Sequence, residues 1–142
     1  MGDNLTATAS TLINADPRVI WAVITDPEQL GQAFFGAKVE TDWRVGSPIT
    51  YRGEWQGRHF EDKGEVVTVE PNLVLRFTHF SPASGQPDTP ENYHTVTFDL
   101  APRDNGTELV ITQTNAASQE ERKHSEANWA QVLDNIKHAA EG

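Results

Sequence analysis

Residues 73–80, LVLRFTHF, residues 92–101, NYHTVTFDLA, and residues 107–115, TELVITQTN, decide the fold by the way they pair. Each alternates apolar with polar side chains and is rich in β-branched and aromatic residues, the pattern of a half-buried strand. An antiparallel register that sets Leu73 opposite Leu100, Leu75 opposite Phe98 and Phe77 opposite Val96 matches apolar residues throughout. Continued to the next strand, it sets Leu100 against Leu109 and Phe98 against Ile111. One face is then apolar across three strands and has to be covered.

The cover lies at the end of the chain. Ser118 and Glu121 form an S-x-x-E capping box, and no helix breaker follows until Gly142. A helix of this span is a rod of roughly 34 Å at 1.5 Å per residue. Its second half carries Trp129, Val132, Leu133, Ile136 and Ala140 on one stripe, whereas residues 118–126 are almost wholly polar. Only the second half can seal tightly on the sheet.

Upstream, the alternation over residues 5–13 predicts a first strand, with Leu5, Ala7, Ala9 and Ile13 on one face. Asp16-Pro17 and Asp26-Pro27 each place a capping carboxylate before a proline at the first helical position, so two short helices follow. The second is expected to run through Leu30 toward Phe34 and Phe35 and to stop at Gly36. Turn residues then divide the chain into six strands near 37–42, 48–55, 58–69, 73–80, 92–101 and 107–115. Their short connections demand hairpins, not crossovers. The facing of the 58–69 strand stays open, because Val66 and Thr68 compete with Val67 and Val69 and a bulge would switch faces.

The 142 residues contain no linker-like stretch or internal repeat, so residues 1–142 are read as one α+β domain. Four Trp and six Phe within a hydrophobic share of 37% suffice for a core without a disulfide or a metal. The absence of Cys excludes thiolate nucleophiles, disulfides and Cys-ligated metal sites. A net charge of −10 opposes phosphate backbones and anionic bilayers, so neither nucleic acid nor membrane is expected as a partner. With no apolar run of about 20 residues and no signal-peptide pattern, a cytoplasmic protein is expected.

Five stretches carry a resemblance: Ala15-Asp16-Pro17 through Trp21 to Thr25; Asp42-Trp43-Arg44-Val45-Gly46; Gly64-Glu65-Val66 through Val69-Glu70-Pro71 to Leu75; Gly106-Thr107-Glu108-Leu109; and Asn128-Trp129 through Leu133. In this order the chain resembles the helix-grip superfamily (START or Bet v1-like, SRPBCC). Within it, the chain is most similar to the branch named for homology to the activator of Hsp90 ATPase. It departs from that branch at Asn128, where Gly is common before the Trp, and at Asn72, where a second Pro often follows Pro71. The resemblance implies a curved antiparallel sheet of about seven strands (β-α-α-β6-α) wrapped around the C-terminal helix. It also implies binding of hydrophobic small molecules, cyclase or hydrolase activity in a few branches, or assistance to a chaperone ATPase. The eukaryotic chaperone activator has a separate N-terminal domain for which this length leaves no room, so stimulation of the chaperone is not expected.

Carried past the apolar rows, the register sets His79 opposite His94, Val96 beside Gln113 and His94 beside Asn115, so polar side chains share one end of the inward face. A pocket is expected there, with a floor of Leu75, Phe77, Phe98, Ile111 and Leu133 and a rim formed by His79, His94, Gln113 and Asn115. Strand-end His and Gln side chains turned into bulk water are the competing reading. Tyr51 and Trp55 share a face with Ile49 and, with Phe34 and Trp129, are either pocket wall or plain core. His79 and His94 are the candidate general base and donor should a reaction occur. A metal between them would need Asp62 or His59 from the neighbouring strand, and no metal is expected.

His59, His124 and His138 read as surface residues, and Glu61-Asp62 and Glu120-Glu121 as solvated faces. No G-x-S-x-G, P-loop, H-E-x-x-H or dinucleotide fingerprint is present, so no cofactor is expected. The expected role is binding of a small, largely hydrophobic molecule by a monomer or weak homodimer. Two alternatives remain: a protein-interaction module of chaperone-cofactor type, and a small-molecule cyclase or hydrolase using His79 and His94.

Overall fold

The computed structural model describes residues 5–55 and 57–142, except for the side chain of Trp55. In chain order the elements are β1 (Leu5–Ile13), α1 (Pro17–Ile24), α2 (Pro27–Ala33), β2 (Lys38–Glu40), β3 (Pro48–Trp55), β4 (Arg58–Glu70), β5 (Val74–His79), β6 (His94–Arg103), β7 (Gly106–Ala116) and α3 (Gln119–Glu141). The seven strands form one antiparallel sheet in the order β1-β7-β6-β5-β4-β3-β2. Six consecutive strands thus make a meander, and β1 closes its end against β7.

Short-range chemistry accounts for the helix ends. Asp16 accepts from the Arg18 backbone N–H and Asp26 from that of Glu28, each with proline at the start of the helix. Ser118 caps α3 by accepting from the Glu121 N–H at 3.1 Å. In the return bond the Ala117 N–H, one residue before the cap, donates to the Glu121 carboxylate. α2 ends at Ala33, earlier than expected, because Phe35 takes a left-handed φ of 61° and Gly36 one of 86°. That turn projects Phe34 toward the sheet, where its ring meets Tyr51 and Trp129.

The expected pairings hold for Leu75 with Phe98, Phe77 with Val96, Phe98 with Ile111 and Leu100 with Leu109. Leu73 does not join the row: it precedes β5 in a turn and is 52% exposed. Asn115 leaves its row as well. At a φ of 68° it forms a bulge in β7, where β1 skips from pairing Leu5 with Ala116 to pairing Ala7 with Gln113. Its amide donates instead to the carbonyls of Glu91 and Tyr93, pinning the segment before β6.

β4 spans both halves of the sheet, pairing with β3 from residue 58 to 65 and with β5 beyond. A bulge between Val66 and Thr68 switches faces, so that Val66 is fully buried while Val69 also packs on the core. At the crossover, Gly64 lies so close to β5 that an added Cβ would sit 1.7 Å from the Thr78 carbonyl oxygen. A side chain there would push the two strands apart.

α3 lies over the apolar face, burying Val132, Leu133 and Ile136 with α1 and α2 alongside. Its polar residues satisfy the open edge of β1: Glu126 accepts from the Thr8 N–H, Lys137 donates to the Leu12 carbonyl and Glu141 accepts from the Asn14 N–H. An edge bound in this way has fewer free backbone groups for a stray strand. No helix among the described residues is long and apolar enough to cross a membrane.

Candidate functional site

Between the sheet and α3 lies a cavity of about 240 Å³. Phe34, Ala37, Tyr51, Phe60, Phe77, Val96 and Trp129 form its apolar wall, and Asp62, His79, His94 and Gln113 its polar one. A second hollow of about 560 Å³ adjoins it and shares Phe34, Ala37, Phe60 and Asp62; it continues past Glu54 and Ser81 to His124 and Asn128 in the polar half of α3. The two together run from the middle of the sheet out along the first half of that helix.

Each side chain arrives there by strand parity. β3 and β4 pair Trp55 with Arg58 and hence Tyr51 with Asp62, and opposed residues of an antiparallel pair share a face. His79 pairs with His94 at the ends of β5 and β6, their rings stacked at 6.3 Å between centroids. Gln113 pairs with Val96, and Trp129 reaches down from α3 to donate its indole N–H to the Gln113 Oε1 at 2.7 Å. The indole also meets the Phe34 and Phe98 rings edge-on.

The polar wall is a connected set. His79 Nε2 lies 2.8 Å from Asp62 Oδ2, with Asp62 only 14% exposed. A carboxylate can only accept, so Nε2 carries a proton. His94 Nδ1 lies 2.9 Å from the Thr114 carbonyl, and the same logic puts a proton on Nδ1. The Tyr51 hydroxyl donates to the Thr78 carbonyl, and burial, reinforced by the Asp62 charge, pushes its ionisation well above the ordinary range. Asp62 Oδ1 is buried and has no hydrogen-bond partner among the described residues.

Of the residues singled out from sequence, Phe34, Tyr51, Phe77, His79, His94, Gln113 and Trp129 border the cavity. Leu75, Phe98, Ile111 and Leu133 do not. They belong to the buried core cluster, to which the wall residues Phe77 and Val96 also belong. The Trp55 side chain lies outside the described residues. Asp62, read as solvated, is instead the partner of His79, because the hairpin register turns it inward. Phe60 was missed for the same reason, and the turn-forming pair Gln56-Gly57 in the sequence was the signal that places both. His59 is exposed and cannot approach the two imidazoles as a third ligand. Among the described residues, no three His, Asp or Glu side chains are grouped to hold a metal ion.

A curved sheet gripping a terminal helix over a partly filled interior defines a helix-grip domain with an internal cavity. The chain belongs to the family described as Activator of Hsp90 ATPase homolog 1-like protein, whose sequence profile matches residues 14–141. Among solved structures it is similar to that of ChR145 from Cytophaga hutchinsonii, with 41% identity over 96% of this chain and 94% of the other and a TM-score of 0.84. Protein CV1439 from Chromobacterium violaceum has 23% identity over 96% and 97% of the two chains, with a TM-score of 0.79. The Aha1 dimer from Colwellia psychrerythraea has 21% identity over 96% of each chain, with a TM-score of 0.74. No curated protein matches the chain in sequence.

Proposed function

We propose that this chain binds a small, largely apolar molecule in the cavity between sheet and helix, holding one polar end of it against Asp62, His79, His94 and Gln113. One observation carries the reading: a hollow of about 240 Å³ with an aromatic wall and a single polar side, joined to a wider cleft under the polar half of α3. Ligand sites have this composition, with few polar groups placed to fix orientation. At that volume the inner hollow takes a one-ring body, and the cleft takes any longer tail. A thermal-shift screen of one-ring and lipid-like compounds tests it. A ligand at a hundredfold its Kd adds about 2.7 kcal/mol of stability, a shift of several degrees. If no compound raises the melting temperature, and a crystal structure shows side chains filling the space, the reading is lost.

The Asp62–His79 contact favours a second reading, a hydrolase or cyclase. The carboxylate holds the imidazole by Nε2–H, and Nδ1 serves as general base, with His94 beside it. Turnover abolished by His79→Ala and by His94→Ala without loss of thermal stability supports this; an unaltered rate excludes it. Both readings place the protein in the cytoplasm as a monomer or weak homodimer, with a protein partner as the remaining alternative. Sedimentation at micromolar concentration checks the oligomeric state.

A further inference from the structure

We propose that the polar end of the ligand is a protonated amine seated against Asp62. This rests on the binding reading above and narrows it to a chemical class: small aryl or alkyl amines.

The wall has an excess of acceptors. Its hydroxyl and indole donors are spent on the protein, Tyr51 on the Thr78 carbonyl and Trp129 on Gln113. The ring N–H of His79 that faces Asp62 and that of His94 that faces the Thr114 carbonyl are likewise spent. What remains in the inner cavity among the described residues is Asp62 Oδ1, the second ring nitrogen of each histidine and the Gln113 amide, and the cleft adds Ser81, His124 and Asn128. A buried acceptor without a partner is costly, so the occupant that fits brings donors. An ammonium group brings three, and a charge opposite to that of Asp62.

The charges agree. Among the described residues, neither the inner cavity nor the cleft has Lys or Arg in its wall, while Asp62 lies in both and Glu54 in the cleft. Lys63 and Arg52, on the same hairpin, are engaged by Asp88 and by Glu40 and Glu61. A ligand carboxylate would bury a second anion beside Asp62 with no Lys or Arg in the wall to meet it. An ammonium would meet the carboxylate and the faces of aromatic rings, which attract cations. The net charge of −10 draws cations toward the whole molecule.

The test is calorimetric titration of the full chain with three one-ring probes that share a body and differ in the head: phenethylamine, phenethyl alcohol and phenylacetate. The amine is expected to bind about tenfold or more tighter than the alcohol, the worth of a charge-assisted hydrogen bond, and phenylacetate weakest. Asp62→Asn is expected to remove the amine's advantage over the alcohol. If that variant does not fold, the ranking of amine over alcohol in the unmodified protein decides alone. An alcohol or phenylacetate that binds as well as the amine overturns this inference and leaves the cavity a neutral-ligand site. Binding of none of the three, with none of the screened compounds stabilising the chain, overturns the binding reading itself.

Discussion

Gly64→Ala should destabilise the protein and disturb the cavity at once. The added methyl would sit 1.7 Å from the Thr78 carbonyl oxygen and 2.5 Å from its carbon, well inside the 3.4 Å at which ordinary contact begins. Both atoms are backbone, so β4 and β5 have to separate. Overpacking of this kind costs about 1–3 kcal/mol. The separation also strains the paired bonds between Lys63 and Phe80 and the bond from the Glu65 N–H to the Thr78 hydroxyl, each worth about 0.5–1.5 kcal/mol. Removing a glycine from the unfolded chain returns about 0.4–1 kcal/mol. The expected net loss is about 2–4 kcal/mol, or a melting temperature lowered by about 5–15 °C for a chain of this size. Urea denaturation followed by tryptophan fluorescence measures it, with Gly36→Ala as the control. Gly36 has a φ of 86°, but a methyl added there would have no neighbouring atom within 4 Å, so the change should cost only about 1–2 kcal/mol for the left-handed backbone. Because Asp62 and His79 flank the same crossover, Gly64→Ala should also weaken binding of any cavity ligand. A Gly64→Ala protein as stable as the parent, or more stable than Gly36→Ala, would refute the close approach of β4 and β5.

Three further outcomes follow from the packing and the ionisable groups. Leu133→Ala, at 2% exposure beneath the cavity wall, should cost about 2–5 kcal/mol in calorimetry, and a change under about 1 kcal/mol would show that the site is not packed core. The Asp26 carboxylate is held below its ordinary range by the Gln29 side-chain amide and the Glu28 backbone N–H. A depressed folded pKa contributes stability fully above the unfolded value and loses it as pH falls through the folded one. Asp26→Ala should therefore be less stable than the parent near pH 7 and approach it in acid, whereas a pH-independent gap would contradict the cap. Of the two tyrosines, Tyr93 is raised first by its hydrogen bond to Asp88, and Tyr51 is raised further by burial. A raised folded pKa adds stability below the unfolded value that is lost as pH rises. Ultraviolet titration should show Tyr93 ionising first and Tyr51 resisting until the fold opens, and the reverse order would place Tyr51 at the surface.

The strands could be read from sequence because their information is local. Alternation in 73–80, 92–101 and 107–115 needs only one buried face, and matching apolar partners leaves one register. The caps at Asp16, Asp26 and Ser118 were equally legible, since a capping side chain bonds within three residues of itself. Legibility ended where the backbone left ideal geometry. The alternation of 107–115 put Asn115 in the row, but a left-handed residue and a bulge turned it toward Glu91. Leu73 obeyed the apolar pattern yet lies in the turn before its strand.

The helix, its half-polar character, the order of strands and the meeting of His79 with His94 are consequences of residue pattern, which acts over one turn or one strand pair. The depth of each residue is not. Leu75 and Phe77 have the same parity on the same strand and are both buried, yet only Phe77 borders the hollow. The difference depends on how far α3 stands from the sheet at each point, and on Phe34 swinging in from the end of α2. The partnership of Asp62 with His79 likewise needed β4 to cross from one half of the sheet to the other at Gly64. Curvature and layer spacing arise from many side chains packing at once, and no short stretch of the chain carries them.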